Sequence, residues 1–222
     1  MTPSNTLTPA KNAITYTAGG QEITLNAGII KRYLVSGDAD KVTDQEVLLF
    51  AKLCQYQGLN PFLREAYLVK YGNSPAQTIT SKAALEKRAA RCKDYRGFEA
   101  GIIVRRPDGT IEQRPGTFYA EDEQLVGGWA KIYVDGYVVP VEATATLREY
   151  STGKALWASK PATMIRKVAK VCALREAFPD DMQGMYAAEE LDDAPEPPAV
   201  EIPAVTPTPP ADSFAAIMEG ED

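Results

Sequence analysis

The alternation of hydrophobic and polar positions predicts short β-strands along much of the chain. Residues 14–25, ITYTAGGQEITL, alternate around Gly19-Gly20 and predict a hairpin. Two apolar runs within 65–80, EAYLVKYG and AQTIT, predict two further strands. Asp-Gly pairs at 108–109 and 135–136 each separate two alternating runs, which is the pattern typical of tight hairpins. The β-structure is therefore predicted to be mostly antiparallel.

Apolar residues at helical spacing predict helices between these strands. The clearest helix lies at 43–58, where Thr43 is placed to cap the first turn together with Glu46. Gly58 is placed to end this helix. Three further helices are predicted, at 27–37, 81–95 and 161–178. Helices that flank an antiparallel β-meander of hairpins make the predicted fold class α+β.

The chain is predicted to contain one globular domain followed by a tail. Within the domain, residues 1–40 form the N-terminal hairpin and short helix, and residues 41–188 form the core. Residues 189–222 hold seven of the 16 prolines and ten of the 30 acidic residues, without a single Lys or Arg. Such a composition buries too little apolar surface to offset the entropy of ordering, so the tail is predicted to be disordered.

The charge of the chain is unevenly distributed. The whole chain has a net charge of −6, but without the tail 30 − 10 = 20 acids remain against 24 bases, a net of +4. A basic domain with an acidic tail is typical of proteins with a nucleic-acid or membrane partner.

The predicted last helix carries the clearest cationic pattern. At 100° per residue, Arg166, Lys167 and Lys170 fall within about a 100° arc, opposite an apolar face. No acidic residue lies between positions 154 and 175, so no carboxylate on the same helix can pair with these cations. A second basic stretch, 82–96, holds six bases against two acids. Two cationic helices suit a groove for a phosphate backbone, although a solvated helix face is the plainer interpretation.

Several enzyme classes find no support in the residues. The chain has no histidine and neither a GxxxxGK[ST] nor a GxGxxG stretch. Asp108, Glu112 and Arg114 resemble a metal-dependent nuclease pattern only faintly, and Pro107-Asp108-Gly109 is better interpreted as a turn. The three cysteines are scattered and predict reduced thiols. Neither a signal peptide nor an apolar run of membrane-spanning length is expected, and no catalytic group, metal or cofactor is predicted.

Two blocks of the sequence carry a resemblance to a known family. GLNPFLREAYLVKYG at 58–72 and WASKPATMIRKVAKVCALREAFP at 157–179 resemble signature blocks of the phage recombination protein Bet, in the Redβ/RecT group of single-strand annealing proteins. The similarity covers roughly residues 42–186. It implies an ATP-independent protein, not an enzyme, that binds single-stranded DNA and anneals it to a complementary strand in phage recombination.

The resemblance also implies partners and a location. It implies homo-oligomeric rings or filaments that hold single-stranded DNA and the annealed duplex along a basic groove. A phage exonuclease and the host single-strand-binding protein are further implied partners, and the implied location is the cytoplasm of a bacterial host. Matching positions make Arg64, Arg166 and Arg175 candidate DNA contacts. With further basic residues chosen from the two cationic stretches and the first block, the candidate DNA-binding residues are Arg64, Lys70, Lys82, Arg88, Arg91, Lys160, Arg166, Lys167, Lys170 and Arg175.

Alternatives remain open at this point. The chain can be a single-strand coating or packaging protein that protects DNA without pairing it. Asn60-Pro61 can serve only to end one element and direct the chain into the next strand. Tyr67, Tyr71 and Tyr95 can stack on bases or pack in the domain, and Trp157 is better interpreted as a core residue. In the tail, Phe214, Ile217 and Met218 form a small apolar stripe among acids that suits a docking peptide or a competitor of DNA.

Overall fold

In the computed structural model, which describes residues 13–188, the strands form three separate sheets. A two-stranded sheet contains β1 and β2, a three-stranded sheet has the order β3-β4-β5, and a four-stranded sheet has the order β7-β6-β8-β9. The elements are β1 (Ile14–Ala18), β2 (Gln21–Leu25), α1 (Ala27–Tyr33), β3 (Val35–Gly37), α2 (Asp44–Gln57), β4 (Ala66–Lys70), β5 (Gln77–Thr80), α3 (Lys82–Ala89), β6 (Tyr95–Arg105), β7 (Ile111–Pro115), β8 (Gln124–Val134), β9 (Val141–Thr146), α4 (Leu147–Tyr150), α5 (Ala155–Ser159) and α6 (Pro161–Ala177). Mixed helices and largely antiparallel sheets confirm the predicted α+β class.

The N-terminal elements follow local signals. β1 and β2 pair antiparallel around Gly19-Gly20, and the Asn26 side chain caps α1 by accepting a hydrogen bond from Ile29 N. The predicted helix over 27–37 is too long, because α1 ends at Tyr33. Residues 35–37 then form β3, which pairs parallel to β4. This strand is stabilised by a partner distant in sequence, so nothing in its own residues predicted it.

Helix α2 forms where its caps place it. Thr43 and Glu46 make the predicted capping box, and Gly58 ends the helix in the left-handed conformation, with φ of 60°. The helix buries Val47, Phe50 and Cys54 against the core. Burial raises the pKa of Cys54 to about 12, so this thiol stays protonated and unreactive.

The four-stranded sheet and α6 form the centre of the domain. Both predicted hairpins are present, although the second is joined by residues 135–140 and not by a tight Asp-Gly turn alone. Helix α6 packs against this sheet and approaches it tightly at Gly128, where an added Cβ would lie 2.5 Å from Ile165 O. A side chain at position 128 would therefore push the helix off the sheet. Trp157 is buried, which confirms its assignment to the core.

The helices after β5 depart from the predicted ones in length and number. Helix α3 ends at Ala89, six residues before the predicted end, so Arg91 lies beyond it. Two short helices that were not predicted, α4 and α5, precede α6, and both pack against it. Pro161 begins α6 as predicted. The predicted disordered tail lies outside the described residues, and the division at residue 40 stays a prediction.

Candidate nucleic-acid interface

Only part of the cationic face predicted for α6, with Arg166, Lys167 and Lys170, is accessible to solvent. Lys170 is 4% exposed, so the prediction that it lies on the solvent face is wrong. Its ammonium lies 2.7 Å from Glu86 Oε1 of α3 and 3.2 Å from the centre of the Phe98 ring. Burial lowers the pKa of Lys170, and the positive charges of Lys82 and Arg166 lower it further against the effect of Glu86. Lys170 therefore ties α6 to α3 and does not face solvent.

Glu86 of α3 is a carboxylate that the charge pattern of α6 alone did not reveal. It accepts contacts from Lys82, at 2.8 Å, and from Lys170. Burial disfavours its charged form, but the hydrogen bonds from these two lysines outweigh burial and hold the pKa of Glu86 below its ordinary value. The charge pattern of α6 shows only the carboxylates of α6, whereas this partner lies on another helix, 84 positions away in the sequence.

The second basic stretch is compensated in the same way. Lys87 Nζ lies 2.5 Å from Glu65 Oε1, and Arg88 lies 3.5 Å from Asp181 Oδ1. The prediction of an uncompensated cationic α3 is therefore wrong, because each of its basic residues, Lys82, Lys87 and Arg88, faces a carboxylate. Arg91, just beyond the helix, is exposed and makes no ion pair within residues 13–188.

Lys70 is a structural residue in this fold. It is 5% exposed and its ammonium lies 2.7 Å from Glu46 Oε1. Hydrogen bonds from Lys70, Ala76 N and Thr43 N lower the pKa of Glu46 to about 2. The pair joins α2 to β4, so the prediction that Lys70 is available to DNA is not supported by its position.

Arg64 lies exposed beside the Asn60-Pro61 step. Asn60 caps a 3₁₀ turn at 61–63 through Phe62 N and Leu63 N, and its own N–H donates to Glu65 Oε2. These bonds confirm that Asn60-Pro61 directs the chain between two elements. Arg64 ends the turn in the left-handed conformation with φ of 57°, which is unusual for a residue with a side chain, and it makes no ion pair in the described part of the chain.

Three exposed cations lie at the start of α6 and in the two short helices before it. Arg148 in α4, Lys154 before α5 and Lys160 before α6 make no side-chain hydrogen bond or ion pair within the described residues. Lys160 precedes a helix whose first turn contains no acid and no side-chain cap. Backbone N–H groups at the start of a helix carry partial positive charge, which adds to the charge of the lysines.

Arg166 and Lys167 extend this basic surface along α6. Both are half-buried. Arg166 Nε donates to Ala100 O of β6 at 3.1 Å, which holds the guanidinium against an inner strand of the sheet, and Arg166 makes no ion pair within residues 13–188. We call Arg148, Lys154, Lys160, Arg166 and Lys167 the cationic strip. Helices α4 and α5 both pack against α6, so these five residues lie on neighbouring elements.

Arg175, Tyr67 and Tyr95 are less exposed than the cations of the strip that face solvent. Arg175 lies near the C-terminal end of α6 with its guanidinium 4.8 Å from the centre of the Tyr186 ring. Tyr67 is buried and Tyr95 packs edge-on against Phe178, which confirms packing roles for both. Tyr71 remains exposed. Asp108, from the faint nuclease pattern, accepts a hydrogen bond from Thr110 N inside the hairpin turn. This bond supports its interpretation as a turn residue.

The candidate DNA-binding residues predicted from the sequence left out Arg148 and Lys154, the first two residues of the strip. A wider window would have revealed Arg148, because residues 148–175 contain seven bases and only one acid, Glu149. Among residues 13–188, no helix is long and apolar enough to cross a membrane, and no three His, Cys, Asp or Glu side chains cluster as metal ligands.

The fold and the strip together define an α+β protein with a surface suited to a polyanion. Residues 20–202 match the RecT family. The match covers most of the 222 residues, and the chain belongs to the RecT family. Proteins of this family anneal single-stranded DNA in recombination.

A curated relative extends the comparison. The chain is 33% identical over 122 residues to the uncharacterized protein UU154 of Ureaplasma parvum serovar 3. The match covers 55% of this chain and 49% of the relative, so the chain spans about half the length of the curated relative it matches.

Proposed function

We propose that this chain binds single-stranded DNA and anneals complementary strands without ATP. The observation that carries the proposal is the cationic strip, a basic surface in a member of the RecT family whose exposed cations Arg148, Lys154 and Lys160 face no carboxylate among the described residues. Complementary strands repel one another as polyanions, and cations along a groove remove that barrier while releasing counterions. Base stacking then supplies about 1.4 kcal/mol per step, so no nucleotide hydrolysis is needed.

The proposed contacts are the cationic strip, with Arg64 and Arg91 as additional exposed cations. Contacts of this kind reach phosphates and leave base edges free to test complementarity, as annealing requires. Lys70 and Lys170 are left out because they are buried in ion pairs, and Lys82 and Arg88 contribute less because each already faces a carboxylate. Arg175 stays a candidate.

The test is a strand-annealing assay with two complementary labelled oligonucleotides and no ATP. The unmodified chain should speed pairing, and the Lys154→Ala/Lys160→Ala variant should lose most of that acceleration. Both side chains are exposed and make no ion pair within residues 13–188, so the variant should fold normally. A chain that binds the strands but slows their pairing would be a coating protein, and the annealing proposal would then be wrong.

A matched control separates a local effect from a change in total charge. Lys41→Ala/Lys131→Ala removes the same two charges, but these lysines are paired with Asp38 and Glu142. We expect this control to anneal strands nearly as fast as the unmodified chain. Equal loss in both double variants would place the effect in net charge and contradict the assignment to the strip.

We further propose that the chain acts as an oligomer. One strip offers few phosphate contacts, so stable coverage of a long strand requires neighbouring copies to associate, as rings or filaments. The proposed setting is a bacterial cytoplasm during phage recombination, with an exonuclease that exposes the strand and the host single-strand-binding protein as partners. Mass photometry should find assemblies that lengthen with the DNA supplied, and monomers alone at all DNA lengths would contradict this.

A further inference from the structure

Helix α2 has an apolar face on both sides. One side packs into the core, while Leu48, Leu49 and Tyr56 point to solvent, with Leu49 71% and Tyr56 73% exposed. With half-buried Leu53, these side chains fall within about a 140° arc of the helix. We call Leu48, Leu49, Lys52, Leu53 and Tyr56 the outer face of α2. Three large exposed apolar side chains on one helix face are typical of an interaction surface.

The outer face contains one cation that lacks a carboxylate among the described residues. Lys52 lies between the apolar side chains, and its ammonium donates to the neutral Gln55 side chain at 3.0 Å. No acidic residue occurs in α2 after Glu46. The surface therefore suits a short segment with apolar side chains and negative charge.

The described chain passes the end of α2 shortly before its last described residue. Gln57 Nε2 donates to Gln183 O at 2.8 Å, at the C-terminal end of α2. A Cβ placed on Gly184 would lie 3.1 Å from Leu53 Cδ1, at the border of the outer face. The last described residue is Ala188, only four positions later. Ala188 packs against β4 and β5, so the rest of the chain begins four residues beyond the contact of Gly184 with α2.

The end of the sequence contains a segment with the matching chemistry. Residues 212–222, DSFAAIMEGED, place Phe214, Ile217 and Met218 at the i, i+3 and i+4 spacing of one helix face. The same eleven residues include four acids, at 212, 219, 221 and 222, and no base. The family match ends at residue 202, so this segment has no counterpart in what the family comparison describes.

We propose that residues 212–222 dock on the outer face of α2. Phe214, Ile217 and Met218 would cover Leu49 and Tyr56, and the acids would lie near Lys52. The intervening residues 189–211 span roughly 25 Å as a flexible coil, and more if their prolines extend them. The 14 residues of α2 are about 21 Å long. The segment can therefore reach any part of the outer face from the point where the described chain ends.

The experiment uses the full chain with the photoreactive residue p-benzoylphenylalanine in place of Phe214. After irradiation, peptide mass spectrometry should locate the crosslinks on α2, within residues 48–57. Crosslinks to the same residues of a neighbouring copy also support the docking and show that it occurs in trans. Crosslinks to other parts of the domain, or none above background, would overturn the proposal.

Substitutions on the outer face provide the second measurement. Leu49→Glu/Tyr56→Glu puts two carboxylates against an acidic segment, and the crosslink yield should fall about tenfold, since one buried apolar side chain is worth at least that factor. Phe118→Glu, at an exposed apolar position on a loop between β7 and β8, is the matched control and should leave the yield unchanged. If the α2 variant instead dissolves oligomers with no change in the crosslinks, a second copy of the chain covers the face and the proposal is wrong.

Discussion

The two cationic regions of this chain look alike in sequence and differ in the structure. In α3, Lys82, Lys87 and Arg88 each face a carboxylate. Between α4 and the start of α6, Arg148, Lys154 and Lys160 face none within residues 13–188. Both regions are rich in lysine and arginine, so composition alone does not separate them. Their partners do.

This difference shows which positive charges of the domain can bind an external anion. The carboxylates that face α3 come from α3 itself, from position 65 before β4 and from position 181 after α6, so the cations of α3 hold elements together. The three exposed cations of the strip make no such link within the described residues and stay available to an external anion. We therefore expect substitutions in the first region to change stability and substitutions in the second to change DNA binding.

The largest effect is expected for Lys170→Ala. Removing a partner from a fully buried ion pair costs about 3–5 kcal/mol, but Glu86 is partly exposed and retains Lys82, so we expect about 2 kcal/mol. Urea denaturation measures this loss directly. Lys160→Ala, the exposed counterpart, should change the free energy of unfolding by less than about 0.5 kcal/mol.

Lys170→Met serves as the control for packing. It keeps most of the side-chain volume and the contact with Phe98 while removing the charge, so it should cost less than Lys170→Ala. If Lys170→Ala is as stable as the unmodified chain and binds DNA more weakly, the assignment of Lys170 to the structural group is wrong.

A second prediction tests the comparison in both directions. Arg148→Ala should lower the slope of log K against log salt for single-stranded DNA by about 0.7, the effect of one lost phosphate contact, with stability unchanged. Lys87→Ala should leave this slope unchanged and lower stability by about 1 kcal/mol, because Glu65 loses its ammonium partner. Fluorescence anisotropy across a salt series and urea denaturation measure the two quantities. If the two variants changed the salt slope and the stability by the same amounts, the two regions would not differ in function.

The third prediction concerns the Lys70–Glu46 ion pair and the pH dependence of the free energy of unfolding. The pKa of Glu46 is lowered from 4.5 to about 2 in the folded chain. A lowered folded pKa stabilises the fold above the unfolded pKa, and this stabilisation is lost as pH falls from about 5 to 2. Glu46→Gln should therefore reduce the loss of stability over this range, as measured by urea midpoints at several pH values. Glu149→Gln, at an exposed carboxyl without an ion pair in the described part of the chain, should follow the unmodified chain.

The smallest effect is expected at Arg64. Glycine adopts the left-handed conformation without steric cost, so Arg64→Gly should raise stability by roughly 0.5 kcal/mol. Arg64→Ala keeps the backbone cost and should not raise it. Both variants should lose the same amount of DNA affinity if Arg64 contacts phosphate, and unequal losses would indicate that the backbone and not the charge matters.

Local chemistry allowed much of the fold to be predicted from the sequence. The caps of α1 and α2, the Gly19-Gly20 hairpin, Pro161 at the start of α6 and the α+β class all follow from residues a few positions apart. Such signals act over one turn of chain, so they are visible without a tertiary structure. The block at 157–179 that resembles the family and the excess of basic residues in the domain are also evident in the sequence alone.

Tertiary structure alone decided which cations are paired across the fold. Lys170 finds Glu86, Lys70 finds Glu46 and Lys87 finds Glu65 over separations of 84, 24 and 22 residues. It also decided that residues 35–37 form a parallel strand, because their partner β4 lies beyond α2. A charge pattern along one helix reports only the carboxylates of that helix, and folding brings others to it. Ion pairing and burial depend on which residues lie close together in space. Local sequence patterns do not reveal this for residues that are far apart in the chain.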